Sequence, residues 1–156
     1  KFGAKGELFK IPILSMAMRR LGILPIERKN RKKVLQVYKS AEQRMKAGEN
    51  FALAPEGTRM KDYALGSFRN GPFLFAVGAQ SPIIPVVIAG ALPIMPPRSI
   101  LVNPGVWKRK VIIQILPYVN TKGYTEDNVR QVRDQVREVM LEKYTALKNE
   151  LGLPQQ

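Results

Sequence analysis

The amino-acid sequence predicts an α/β protein with a mixed, largely parallel sheet flanked by helices. Segments with apolar residues at helical spacing alternate with short apolar runs of strand length, which is typical of a layered α/β domain. The chain has 156 residues, enough for one domain with a buried core, so we assign residues 1–156 to a single domain. Hydrophobic residues make up 45% of the chain, which excludes disorder throughout.

The first predicted helix spans residues 31–47, where charged residues lie opposite an apolar stripe. The stripe consists of Val34, Tyr38, Ala41 and Met45. Gly48 favours the end of this helix because glycine readily adopts the backbone conformation that follows a last helical turn. The apolar run Phe51–Leu53 then predicts a short strand.

A second helix is predicted over residues 70–79, with Pro72 near its first turn. The run Ile83–Ile88 is apolar on both faces, as in a central strand of a parallel sheet. The run Val111–Leu116 predicts another strand. Residues 70–97 carry no charge, but the six prolines inside that stretch disfavour a continuous membrane-spanning helix.

The last predicted helix begins near Thr125, which we expect to be its N-cap. Glu126 and Asp127 suit the positive end of the helix dipole. The apolar stripe that follows is expected to pack in the core. It consists of Val129, Val132, Val136, Met140, Tyr144 and Leu147.

The net charge of +14 is concentrated in two parts of the chain. Residues 1–33 contain ten Lys or Arg against two acidic residues, and residues 98–124 contain five against none. A nucleic acid, a phosphorylated metabolite or an anionic membrane fits such a surface, and a solubilising surface is the alternative. The sequence has no Cys and no His, which excludes disulfides and thiolate metal sites and removes the commonest general base at neutral pH.

The loop "LAPEGTR" at residues 53–59 is a candidate anion site because ligands of α/β sheets gather at the carboxyl ends of strands. Gly57 permits close backbone approach, Thr58 offers a hydroxyl donor, and the planar fork of Arg59 matches phosphate oxygens. Glu56 would repel a phosphate, so its expected task is to orient an arginine or to accept a hydrogen bond from a substrate hydroxyl. A surface turn with an Arg–Glu pair is the open alternative.

A second arginine, Arg28, ends the segment "LGILPIER" after another short apolar run. Arg28 and Arg59 are expected to clamp one phosphate from two sides. Two prolines are expected to be structural residues near this site. Pro55 fixes the backbone where a strand ends, and a proline inside a strand, such as Pro85, implies an edge, a bulge or the approach to a pocket.

Three sequence blocks resemble, in order, those of the glycerophospholipid acyltransferase family, whose best-known members are bacterial 1-acyl-glycerol-3-phosphate acyltransferases. They are "LGILPIERKNRKK", "LAPEGTR" and "SPIIPVVI". Ala54 departs from the family, which usually has Phe before this Pro. The segments "AKGELFKIP" (4–12) and "GSFRNGPFLFAVGAQ" (66–80) also resemble the family, so the match covers residues 4–120.

The resemblance implies a glycerolipid acyltransferase-like layered fold and transfer of an acyl group to the hydroxyl of lysophosphatidate or a related lysophospholipid. The donor would be acyl-CoA or acyl carrier protein, and no cofactor or metal is implied. The residues implied to bind the glycerol phosphate are Arg28, Glu56, Gly57, Thr58 and Arg59, with Lys61 and Arg69 as weaker candidates. The family's catalytic His-x-x-x-x-Asp lies in an earlier block. We therefore expect no catalytic residue in this chain and a domain truncated at its N-terminus.

The resemblance also gives the basic surplus a role at an anionic membrane surface, with the protein on the cytoplasmic face. Residues 91–100 are then expected to be an apolar lip beside the bilayer or acyl channel, or else a buried loop. A non-catalytic anionic-lipid-binding module is the alternative function. A nucleic-acid-binding domain predicts aromatic residues interleaved with Lys and Arg, and only Trp107 beside residues 108–110 fits, so no nucleic-acid partner is expected.

Overall fold

The computed structural model describes residues 1–27, 30–94 and 110–154, and these residues form four strands, four α-helices and one 3₁₀ helix. In chain order they are β1 (Gly3–Lys5), the 3₁₀ helix (Gly6–Lys10), α1 (Pro12–Arg20), β2 (Leu24–Ile26), α2 (Arg31–Lys46), α3 (Asn70–Gly78), β3 (Val86–Ala89), β4 (Ile112–Ile115) and α4 (Val129–Glu150). Every helix in the described part of the chain is too short or too polar to cross a bilayer.

The described strands form two small sheets. In the first, β1 and β2 run parallel, with Gly3 opposite Leu24. A parallel bridge from Phe2 to Ala52 places the segment around Ala52 on the side of β1 that faces away from β2. In the second sheet, β3 and β4 run antiparallel. The α/β class is confirmed, and the strand pairing is mixed.

The prediction of a central parallel strand at Ile83–Ile88 is wrong. Only β3 is a strand there, and its partner β4 runs antiparallel to it. Val87 and Ala89 are buried, whereas Val86 is 41% exposed and Ile88 is 54% exposed. The run is apolar on both faces, but in the described residues helices cover only one of them.

The larger core cluster lies between α3, α4 and the inner face of the β3–β4 sheet. Phe73 and Val77 of α3 pack there with the α4 stripe. The predicted stripe is confirmed, because five of its residues are buried and Tyr144 packs partly buried against the same cluster. A second cluster joins α2 to α3 and β2, and in it the rings of Tyr38 and Phe75 stack with centroids 5.1 Å apart.

The ends of α2 and α3 agree with the sequence. The Asn30 side chain accepts a hydrogen bond from the Lys33 amide (3.1 Å) and caps α2, and Gly48 follows the helix with a φ of +95°. Pro72 lies in the first turn of α3. The predicted strand Phe51–Leu53 forms only the single bridge at Ala52.

The predicted N-cap Thr125 is wrong, because α4 begins at Val129. The Thr125 amide instead donates to Oδ1 of Asn128 (2.7 Å), and this bond holds residues 125–128 in a turn before the helix. Asn and Thr side chains both form such local hydrogen bonds with the main chain. Here Asn128, which lies next to the helix, accepts the bond and Thr125 does not cap the helix.

Candidate functional site

The candidate site lies at one edge of the parallel sheet. β1 is the central strand, and β2 and the segment around Ala52 run parallel to it on either side. Parallel neighbours end at the same edge, so the chain leaves β2 after Ile26 and leaves the Ala52 segment after Leu53 at this edge. Gly3, at the start of β1, lies between the side chains of Leu53 and Ile26. A Cβ at Gly3 would come within 2.6 Å of Leu53 Cδ2 and 3.2 Å of Ile26 Cγ1, so the lack of a side chain allows this close approach.

The chain leaves this edge through a tight turn. The Gly57 amide donates to the Ala54 carbonyl oxygen (3.1 Å), which closes a β-turn with Pro55 at its second position. Proline suits that position because its φ is already fixed near the value required. Gly57 has a φ of +69°, a conformation that a side chain disfavours. Pro55 and Gly57 therefore shape the loop.

Glu56 is half-buried at the centre of the loop. Its Oε2 accepts a hydrogen bond from the Gly66 amide (3.2 Å). Burial raises the pKa of the Glu56 carboxyl above its ordinary value, and this hydrogen bond and the positive charge of Arg137 offset only part of that rise. A carboxylate held in this way is a fixed acceptor for a hydroxyl group or an arginine.

Arg137 of α4 holds the other side of Gly66. Its Nε donates to the Gly66 carbonyl oxygen (3.1 Å) and its Nη2 to the Leu65 carbonyl oxygen (3.0 Å). Gly66 thus connects Glu56 to α4 through its own main-chain groups. Sequence reasoning missed both Gly66 and Arg137. Arg137 lies 71 residues beyond its partner, on a helix rich in charge, and nothing in its local sequence distinguishes it.

Two further residues of α4 lie near the segment that follows the loop. The ammonium of Lys148, which is only 6% exposed, donates to the Tyr63 carbonyl oxygen (3.2 Å) and lies 5.8 Å from the centre of the Tyr144 ring. Burial, with smaller contributions from the negative charge of Glu56 and other nearby groups, raises the pKa of Tyr144. Tyr144 therefore remains a neutral hydroxyl.

The structure brings Arg69 to the loop. The Arg69 amide donates to the Pro55 carbonyl oxygen (2.8 Å), and a Cβ at Gly57 would lie 3.6 Å from Arg69 Cγ. The exposed Arg69 side chain therefore extends from the surface beside Gly57. Of the two weaker candidates, Arg69 is thus placed next to the turn, whereas Lys61 lies on an exposed part of the following segment.

The remaining predicted residues lie on the loop, beside the other sheet or outside the described residues. Thr58 and Arg59 are exposed on the loop, so a ligand would reach them from solvent. Pro85 is buried in the other sheet, directly before β3, where its carbonyl oxygen accepts from the Leu116 amide (2.9 Å). Arg28 lies outside the described residues, as do most of the segment 91–100 and Trp107.

Two cavities lie away from the loop. One, of about 630 Å³, lies between α2, α3 and the start of α4, and Lys32, Tyr38, Glu42, Asn70 and Arg130 are among its lining residues. The other, of about 490 Å³, lies between the segment 116–119, which follows β4, and α4. Residues 53–59 line neither cavity. In the described ranges, no group of three or more acidic side chains is arranged to hold a metal ion.

More than half of the chain matches a known protein family. A family model described as acyltransferase matches residues 1–89. The chain belongs to the acyltransferase family. The match includes the parallel sheet and the 53–59 loop, which are the parts that form the candidate site.

Individual acyltransferases resemble the chain over long stretches. A chloroplast 1-acyl-sn-glycerol-3-phosphate acyltransferase of Arabidopsis thaliana is 35% identical over 99 residues, covering 64% of this chain and 28% of the relative. The mouse 1-acyl-sn-glycerol-3-phosphate acyltransferase alpha is 31% identical over 140 residues, covering 88% of this chain and 48% of the relative. The chain therefore spans at most about half the length of these acyltransferases.

A solved acyltransferase structure has the same fold. The crystal structure of the 1-acyl-sn-glycerophosphate acyltransferase PlsC from Thermotoga maritima superposes with a TM-score of 0.69 at 30% identity. The superposition covers 94% of this chain and 56% of the other. The layered α/β arrangement predicted from the sequence is thus that of an acyltransferase.

Proposed function

We propose that this chain is the acceptor-binding part of an enzyme that transfers an acyl group to the hydroxyl of lysophosphatidate or a related lysophospholipid. The observation that carries the proposal is the turn at residues 54–57, placed at the carboxyl edge of parallel strands in a chain of the acyltransferase family. The relatives named above act on 1-acyl-sn-glycerol 3-phosphate, as their names state.

In this proposal the phosphate of the acceptor is bound by arginines. Arg59 is exposed on the loop, Arg69 extends from the surface beside Gly57, and β2 leads along the chain toward Arg28 from the same sheet edge. Guanidinium groups pair with phosphate oxygens through parallel hydrogen bonds. Glu56 lies deeper and accepts a hydrogen bond from a glycerol hydroxyl, because a carboxylate next to the phosphate would repel it.

The reaction proposed is attack of the acceptor hydroxyl on the thioester carbonyl of acyl-CoA or acyl carrier protein. A C–O ester bond forms, the C–S bond breaks, the thiol leaves, and a general base receives the hydroxyl proton. This sequence has no histidine, so an imidazole base would come from outside residues 1–156. The residues of this chain bind and orient the acceptor. The basic surplus of residues 1–33 favours work at an anionic membrane surface, on the cytoplasmic face.

The test measures binding of sn-glycerol 3-phosphate and of a short-chain lysophosphatidate below its critical micelle concentration, by isothermal titration calorimetry. Loss of one guanidinium–phosphate pair costs about 1.5–3 kcal/mol, so Arg59→Ala and Arg28→Ala should each weaken binding about 10- to 100-fold. Arg130→Ala is the matched control, since Arg130 is an exposed arginine that lines a different cavity. Equal affinities for Arg59→Ala and the unchanged chain would refute the site.

A further inference from the structure

The surface formed by residues 8–21, which we call the α1 surface, is poorly covered by the rest of the described chain. α1 packs chiefly against the 3₁₀ helix that precedes it. Met18 is the one buried residue of α1. A helix of nine residues is too short to be stable in water on its own propensity and normally depends on burying one face. α1 therefore has an apolar face available for a partner.

That face carries large apolar side chains in water. Ile13 is 81% exposed and Met16 is 52% exposed, and their spacing of three places them on one side of the helix. Four further apolar residues of the α1 surface are also exposed: Leu8, Ile11, Leu14 and Leu21. Single exposed apolar residues are ordinary on protein surfaces, whereas six within fourteen residues of chain indicate an interaction site.

Positive charge borders the same group. Lys10 precedes α1, and Arg19 and Arg20 form its last turn. The Arg19 guanidinium lies over the Phe9 ring (5.6 Å to its centre), and its Nε donates to Ser15 Oγ (3.2 Å), so this charge is held at the border of the apolar group. Glu7 is the only acidic residue in residues 1–21, and it is paired with Lys5.

Apolar side chains bordered by cations match one partner by their chemistry. A lipid bilayer with anionic headgroups offers an apolar interior to Ile13 and Met16 and negative charge to the basic border. A nucleic acid would match the charge but would leave the aliphatic side chains without a partner. We propose that the α1 surface docks on an anionic bilayer, with Ile13 and Met16 at the level of the acyl chains and Arg19 and Arg20 among the headgroups.

Docking at this surface would bring the candidate site close to the bilayer. Three residues separate the end of α1 from the start of β2, which is itself three residues long and so extends about 10 Å to the edge that carries the 53–59 loop. The inference rests on the proposed function in this respect, because a lysophospholipid acceptor resides in a bilayer.

The experiment measures sedimentation with vesicles of phosphatidylcholine containing 30% phosphatidylglycerol, and with vesicles of phosphatidylcholine alone. Neither vesicle contains a lysophospholipid, so the result is independent of acceptor binding, which the water-soluble sn-glycerol 3-phosphate tests separately. The Ile13→Ser/Met16→Ser variant should partition about tenfold less onto anionic vesicles. The Arg19→Gln/Arg20→Gln variant should also lose about tenfold, and the loss should shrink as salt is raised.

The matched control is Ile113→Ser/Ile115→Ser on the outer face of β4, where the two side chains are 63% and 67% exposed. Circular dichroism checks that all variants are folded. Retained binding by the control together with loss by the α1 variants supports the proposal. Equal loss by the control, unchanged binding by Ile13→Ser/Met16→Ser, or equal binding of the unchanged chain to both vesicles would overturn it. Sedimentation without vesicles measures self-association. If the α1 variants lost self-association but kept vesicle binding, the surface would belong to a second copy of the chain, and the proposal would be overturned.

Discussion

Replacing Arg137 with Met tests whether α4 holds the candidate site in place. The change removes hydrogen bonds to the Gly66 and Leu65 carbonyl oxygens (3.1 and 3.0 Å) and leaves a side chain that can still pack along the helix. Charged hydrogen bonds contribute about 1.5–3 kcal/mol when buried. Arg137 is half-buried and water can reach the freed carbonyls, so we expect a loss of about 2 kcal/mol in the free energy of unfolding.

Urea unfolding followed by circular dichroism measures this loss, and carbon-detected NMR titration of Glu56 gives a second readout. Arg137 now lowers the pKa of Glu56, so Arg137→Met should raise that pKa further. Arg137→Lys keeps the positive charge but cannot donate to both carbonyl oxygens in the guanidinium geometry. It should therefore leave the pKa of Glu56 closer to that of the unchanged chain than the free energy of unfolding. Arg130→Met is the control on the same helix. A loss below about 0.5 kcal/mol with an unchanged Glu56 pKa would refute the coupling.

Two further predictions concern the loop itself. Because the folded-state pKa of Glu56 is raised, the folded chain binds more protons than the unfolded chain between the ordinary carboxyl pKa and the raised one, and stability should fall as pH rises through that window. Glu56→Gln should remove this component in urea titrations at several pH values, and an identical pH profile would contradict the assignment. Gly57→Ala should cost about 1 kcal/mol because of its φ of +69°, as should the control Gly123→Ala at φ +85°. Only Gly57→Ala should also weaken sn-glycerol 3-phosphate binding in calorimetry, and equal affinities for the two variants would count against the site.

α2, α3 and α4 were predictable because their signals are local, whereas α1 was not predicted. The apolar stripe of α4, the proline in the first turn of α3 and the glycine after α2 each act within a few residues. β3 could not be predicted fully from local signals. Its sequence is apolar on both faces, but composition cannot tell what covers a face, and Val86 and Ile88 are exposed. Thr125 failed as an N-cap because Asn128, three residues later, accepts the local hydrogen bond.

The candidate site could be predicted in part. The types of residue in the 53–59 loop suggested an anion site, and Pro55, Glu56 and Gly57 occupy positions in the turn that fit their chemistry. The support behind the loop could not be predicted. Gly66 contacts Glu56 across ten residues and Arg137 across 71, and a single sequence carries no signal for contacts of that kind.

The contacts between α4 and residues 63–66 bear on where this protein can be divided. The family match ends at residue 89, yet the side chains that pack against α3 and hold residues 63–66, behind the loop, come from residues 129–150. A polypeptide that ends at residue 89 would keep every candidate site residue but would lose the helix that supports the segment behind them. We therefore expect a shortened chain to keep the loop in place only if it includes α4.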